Sequence, residues 1–509
     1  MSKEFQIQNG KLIRYNGTET RVVVPSGVTE IGNRAFYGRS DITCVVLSPG
    51  IVKIHGRAFE ECDHLSEIDL PEGLTSIADN AFRNCVSLSE IHLPESLTKI
   101  GCFAFCYCQS LQQIRFPSTL TSVDEGAFSN CVRLARVALP DGVKRLGRGA
   151  FESCAGLASV RLSRGLASIA AYAFRRCKAL TEITVPQGVK SIEDGAFECC
   201  DALETVTAEQ GLRWIGRGAF VRCFRLRSVT LMRGLTEIMD GAFSECAALR
   251  RIELPDTLRR IGDQAFFGCG ELCGIALPEH LTNIGKTAFT GCRALADGDG
   301  FVIVNQRLFG YFGNASAVSV PEGVTHVESY AFQRLDRLTS LRFPESVTVI
   351  KNFAVDECPA LAELVIPSEH VQILYEAFPK QMFLQRASVA PRCNDCKQIE
   401  DLMKAVGYEY LLSPFFADAL ETSEAGRSVL MDIAGRRKVR SDWMLRQIRC
   451  QRAAHVAGML KHLPKLPEEE LEEYMQYASQ SPEIRILLMN HWNARRNGGT
   501  DGANDLFSL

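Results

Sequence analysis

The sequence predicts an α/β repeat solenoid of about fifteen 23-residue coils, followed by a C-terminal all-α segment. Three observations predict it. Phenylalanine preceded by alanine falls at 36, 59, 82, 105, 128, 151, 174, 197, 220, 243, 266 and 289, and the phase returns at Phe332, Val355 and Phe378. Between anchors one pattern of apolar spacing recurs. From about residue 393 the step vanishes and helix-start signals replace it. A unit this short cannot bury its apolar side alone, so neighbours must stack.

Written from Leu65, one unit reads L-x-x-I-x-L-P-x-G-L-T-x-I-x-x-x-A-F-x-x-C-x-x. The alternation around Ile68 and Leu70 is that of a half-buried strand. Pro71 and Gly73 turn the chain, because proline presets one turn dihedral and glycine tolerates positive φ. Leu74 and Ile77 make a short second extended side. From Ala81 to Leu88 the spacing widens to three and four, which predicts a helical or 3₁₀ turn.

The phrase IxLPxxLxxIxxxAFxxC, in register a dozen times, resembles the BspA-like, Treponema-type leucine-rich repeat family over roughly residues 5–390. The resemblance implies a right-handed leucine-rich-repeat superhelix with a parallel sheet on its concave face. It also implies a binding or adhesion surface rather than an enzyme, and many relatives are exported.

Three residues past each anchor stands cysteine, at 62, 85, 108, 131, 154, 177, 200, 223, 246, 269, 292 and 358. Arg39, Leu335 and Gln381 occupy the slot elsewhere. Leucine as a substitute marks a packing position, and free cysteine behaves as a small hydrophobe. Stacked coils are at least ~4.8 Å apart, beyond the ~3.8 Å between Cβ atoms that a disulfide prefers. The expected role is packing.

After Leu295 the repeat pauses until Phe332, and that stretch copies the N-terminus. A shift of 296 aligns Phe5 with Phe301, Ile7 with Ile303, Leu12 with Leu308, Tyr15 with Tyr311 and Pro25 with Pro321. "FQIQNGKLIRY" is a hairpin signal whose Asn9-Gly10 suits a type I′ turn; Asn305-Gln306 suits it less well. Two readings stand: two arrays each begun by a capping hairpin, or one uninterrupted solenoid with a decorated repeat, which the family resemblance favours. The expected division is a hairpin and twelve-coil array over 1–297, a second hairpin and remaining repeats over 298–391, a helical domain over 392–497, and a disordered Gly/Asp-rich tail over 498–509. Helix starts are placed at Asn394 or Asp395, Ser413-Pro414, Ser441, Pro467 and Ser481-Pro482.

Lys plus Arg number 57 and Asp plus Glu 60, a net charge of −3 that disfavours nucleic acid and anionic membranes as partners. No run of 18 apolar residues offers a membrane span. The N-terminus has no apolar signal core. Twenty cysteines without an export signal point to a reducing, cytoplasmic setting.

No enzyme chemistry and no cofactor site are expected, since phosphate loops and nucleophile constellations are missing. Cys393 and Cys396 form a lone Cys-x-x-Cys without the second pair a zinc site needs, leaving a metal or redox role as an alternative. Residues 427–465 carry ten Lys or Arg against Asp432 and Asp442. Arg446, Arg449 and Arg452 recur there every third residue, an alternative phosphate or nucleic-acid stripe; a solvated helix face is the preferred reading. The remaining candidates flank the strand isoleucine and point away from the core. They are Glu67/Asp69, Glu90/His92, Gln113/Arg115, Arg136/Ala138, Ser159/Arg161, Glu182/Thr184, Thr205/Thr207, Ser228/Thr230, Arg251/Glu253 and Gly274/Ala276. This row, polar, mixed in sign and expected to run unbroken, predicts a protein partner; Glu67, Asp69, Glu90, His92, Gln113, Arg115, Arg136, Arg161, Glu182 and Arg251 are its candidate contacts.

Overall fold

A computed structural model describes residues 4–366, 371–374, 377–378, 386–389 and 466–496, with Met444, Leu445, Ile448, Val456 and Leu460. It divides into two compact units, Met1–Ala296 and Asp297–Leu509. The first opens with a hairpin, Phe5–Gln8 antiparallel to Lys11–Tyr15. Asn9 and Gly10 both have positive φ, 50° and 75°, as a type I′ turn requires.

Each following coil but the last contributes two short strands. One ladder starts at Arg21–Val23 and repeats every 23 residues to Arg251–Ile252; the other runs from Glu30–Ile31 to Asn283–Ile284. All inter-coil pairs are parallel and related by that step, as in Lys99↔Ser122 and Gln113↔Glu90. Between the ladders lie the repeat's apolar residues, with Phe36, Phe59 and their ten successors fully buried. Their rings form one stack from Phe36 to Phe289, the first two centroids 4.8 Å apart and the planes 10° apart. Tyr15 of the hairpin begins it, 5.5 Å from Phe36.

Among the described coils the expected 3₁₀ turn forms in the last one of the first unit, Arg293–Leu295, and not in the others. Each coil closes through consecutive β-turns with two left-handed residues, such as Asn80 (φ 58°) and Asn84 (φ 60°). The Ala81, Arg83 and Cys85 N–H groups donate within the coil, to Ala78, Asn80 and Phe82 O. Asn80, Phe82 and Asn84 donate instead to Cys102, Ala104 and Cys106 O of the next coil, at 2.8, 2.7 and 2.9 Å. A 3₁₀ turn would direct all these N–H groups into its own coil; alternation in φ shares them with the neighbour. At Gly126 (φ 58°) an added Cβ would collide with the Phe103 ring of the preceding coil, so glycine there leaves that ring its room.

The ladder cysteines are buried and free, and each thiol has a fixed task. The Cys154 Sγ–H donates to Phe128 O at 3.1 Å, and the same bond, 26 residues back, recurs from Cys62 to Cys292. The slot is therefore packing with a donor added. Arg39 fills it in the first coil, where no earlier phenylalanine carbonyl exists, and donates to Tyr15 O and Gly17 O of the hairpin.

The second unit also opens with a hairpin, Phe301–Val304 against Arg307–Tyr311. Its strands repeat at Ala317–Ser319, Ser340–Arg342, Glu363–Ile366 and Arg386–Val389. Among the residues described from 466 onward are two α-helices, Glu468–Tyr477 and Pro482–Arg496, the second starting at the expected proline after Ser481. Met444, Ile448, Val456, Leu460, Leu471, Tyr474, Ile484 and Leu488 join the buried cluster of this unit. The first helix follows Pro467, its expected start, whereas the starts expected at Asn394 or Asp395, Ser413-Pro414 and Ser441 and the tail from 498 lie outside the described residues.

Candidate interaction face

The residues flanking each strand isoleucine are held outward by burial of the isoleucine itself: Ile68, Ile91 and Val137 are no more than 4% exposed. Glu67, Asp69, Glu90, His92, Gln113, Arg115, Arg136, Arg161, Glu182 and Arg251 are all exposed and all lie in strands of this ladder. The row also extends further back than expected, to Arg21, whose Nη1 donates to Cys44 Sγ at 3.1 Å. The signal was present in sequence as Arg21-Val22-Val23 and Cys44-Val45-Val46, two valine-rich copies of the strand phrase.

The strip is not unbroken. Its ladder forms three runs, Arg21–Val23 to Glu67–Asp69, Glu90–His92 to Ser159–Arg161, and Glu182–Val185 to Arg251–Ile252. Gly274 and Ala276, expected in a strand, lie in none. Gly274 has φ 74°, a conformation outside the strand region, and Ile275 beside it is only half-buried, so this coil lacks the anchor that aligns the others.

The middle run holds most of the candidate residues. Gln113 pairs with Glu90 and Arg115 with His92, and the Gln113 amide donates to Glu90 Oε1 at 3.4 Å. His92 Nε2 lies 3.6 Å from the same oxygen, both groups well exposed. Arg136 pairs with Gln113 on one side and Ser159 on the other. Among the described residues Arg115, Arg136 and Arg161 form no ion pair. By contrast Arg175, on the turn side of the coil, is clamped between Glu152 and Glu198 at 3.3 and 3.1 Å.

Burial pushes the ladder thiols upward, Cys62, Cys154 and Cys269 to about 12, which makes them poor nucleophiles and poor metal ligands. Arg446, Arg449, Arg452, Cys393 and Cys396 lie outside the described residues. No described helix is long and apolar enough to cross a membrane.

A family profile described as "BspA type Leucine rich repeat region (6 copies)" matches residues 15–135, 75–201, 167–296 and 302–401. No curated protein matches the chain. Among solved structures it is similar to a leucine-rich repeat protein from Bacteroides ovatus, with 25% identity over 57% of this chain and 91% of that one and a TM-score of 0.44. It is also similar to a leucine rich cell surface protein from Faecalibacterium prausnitzii, with 26% identity, 58% and 92% coverage and a TM-score of 0.39. A T. pallidum leucine rich repeat protein shows 30% identity, 44% and 89% coverage and a TM-score of 0.28.

Proposed function

The chain belongs to the BspA-type leucine-rich repeat family, and we propose that it works as a non-enzymatic scaffold that holds a protein partner on the strand face of its first array. One observation carries this reading: exposed polar side chains stand in parallel register along the strand ladder, backed by a continuous ring stack. Such a surface is already ordered, so association costs little conformational entropy. Its charge changes along the array, from Glu67, Asp69 and Glu90 to Arg115, Arg136 and Arg161. Surface charge mainly sets encounter and orientation, so a partner of matching polarity would be aligned as well as held. The setting that fits is cytoplasmic, where the seventeen described free thiols would stay reduced.

The test is affinity capture from the source cell, comparing wild type with the double variant Arg136→Glu/Arg161→Glu and with a chain ending at residue 392. The double variant should lose most of what co-purifies with an unchanged Tm; the shortened chain should lose less. Silence of the double reversal together with loss on shortening would move recognition to the C-terminal segment.

A further inference from the structure

We propose that Arg115, Arg136 and Arg161 form a seat for an extended acidic peptide segment whose carboxylates lie three residues apart. The proposal rests on the strand-face reading and names the chemistry of its partner. Gln113 pairs with Arg136, and Ala138 with Arg161, within one four-strand run. The same register sets Arg115 beside Ala138. Arg115 and Arg161 therefore flank Ala138 in one row, two strands and about 10 Å apart. Arg136 stands two residues back on the middle strand.

These guanidinium groups are exposed and, among the described residues, lack counter-charges. All three arginines are exposed, and so are Ala135, Ala138 and Ala158, which are too small to shield them. Arg161 makes one long bond, from Nη2 to Leu139 O at 3.4 Å. Elsewhere the array neutralises its arginines across coils, as in Arg222–Glu245 and Arg250–Glu271, at 2.9 and 2.8 Å. Three cations gathered without a carboxylate repel one another, and a ligand bearing carboxylates relieves that repulsion through fork-shaped hydrogen bonds.

The surroundings select a short acidic segment over a long polyanion. Glu90 and Glu182 stand in the row of Arg136, four coils and about 19 Å apart. A nucleic acid or sulfated glycan lying along the array would meet both carboxylates. A segment with acids at i and i+3 would not, because a polyproline-II chain repeats its face every three residues, about 9 Å. That step matches the Arg115–Arg161 separation. No Phe, Tyr or Trp occupies either row of the run to stack on a base or sugar.

The experiment is fluorescence anisotropy with the full chain and a labelled Glu-Pro-Pro-Glu peptide at low salt. Binding should weaken about tenfold or more in Arg115→Glu/Arg136→Glu/Arg161→Glu, in Ala138→Glu, and when the peptide glutamates become glutamines. Arg213→Glu/Arg259→Glu, on the other ladder side, should leave it unchanged. Ala138→Glu places the carboxylate inside the triangle while keeping all three arginines, so loss there cannot be a defect of arginine packing. Equal binding by the triple variant, equal binding of the glutamine peptide, or tighter arginine-dependent binding of heparin or single-stranded DNA would overturn the proposal. If the peptide fails while captured partners still depend on Arg136 and Arg161, the acidic-segment inference falls and the strand-face reading stands.

Discussion

The two arrays begin with the same hairpin and are pinned to it differently. In the first, Glu30 lies 3.8 Å from Lys11 and 2.8 Å from His55, and its side chain is 36% exposed. In the second, Glu328 lies 2.6 Å from Arg307 and 2.7 Å from Lys351 and is fully buried. The 296-residue shift superposes Lys11 on Arg307 and His55 on Lys351, but it carries Glu30 to His326 and Gly32 to Glu328. Equivalent basic residues are thus kept while the carboxylate has moved two residues along the chain. A cap needs its first coils tied to it, and position along the strand decides whether that tie is a screened surface pair or a buried one whose partners depend on each other.

The largest expected effect would separate the arrays by alkali. Eleven ladder thiols are buried in the first array, from Cys62 to Cys292. In the second, Cys358 follows Leu335, and burial pushes its thiol up to about 11. In the unfolded chain such thiols ionise near ~8.5. Their raised pKa contributes stability that is intact below that value and lost as pH climbs toward the folded one. Each buried thiol then costs about 1.4 kcal/mol per pH unit. Limited proteolysis at rising pH, with fragments mapped to sequence, should open the first array before the second. Simultaneous opening would break the contrast.

Next in size is the tie itself. Glu328→Gln leaves two cations without their buried counter-charge and should destabilise the second array by about 3–5 kcal/mol. Glu30→Gln should cost no more than about 0.5 kcal/mol, because solvent screens the pair. The His55 hydrogen bond holds the Glu30 carboxyl below its ordinary range. That small contribution is present above the unfolded carboxylate pKa and fades as pH falls through the folded one. Denaturant titration of both variants decides, and equal losses would mean that depth of the carboxylate is irrelevant.

The smallest effect sharpens the likeness. Gln306 is held at φ 59° where the first hairpin has Gly10 at 75°. Gln306→Gly should stabilise the second hairpin by about 1 kcal/mol, the cost of a side chain in the left-handed region. A thermal melt that falls instead would show that the glutamine side chain makes up for its backbone.

The repeat was legible because a 23-residue step in Phe, Cys, Leu and Ile needs no knowledge of three dimensions. The outward row was legible for the same reason, since period-two alternation tells which residues flank a buried isoleucine. The closing turn was misread: Phe82, Cys85 and Leu88 have helical spacing, but the left-handed φ at Asn80 and Asn84 follows from hydrogen bonds shared with the next coil. Asn80 and Asn84 hint at it; Phe103 and Tyr107, at the same positions with φ 56° and 63°, do not. The breaks in the strand ladder escaped detection because Glu90 and Glu182 continue the alternation of polar and apolar residues across them. Cysteine as a donor was also hidden, because leucine at 335 argues for apolar packing alone.

The thiol that reaches back 26 residues has an evolutionary consequence. It ties two neighbouring coils at a fixed chain distance, as do both ladders and the ring stack. One inserted or deleted residue in the closing turn would shift these contacts out of alignment together. Addition or removal of a block of 23 leaves them all intact. Length in such a chain is therefore counted in whole coils, and related chains should differ by multiples of that block within the array while varying freely in the stretch between Leu295 and the second hairpin.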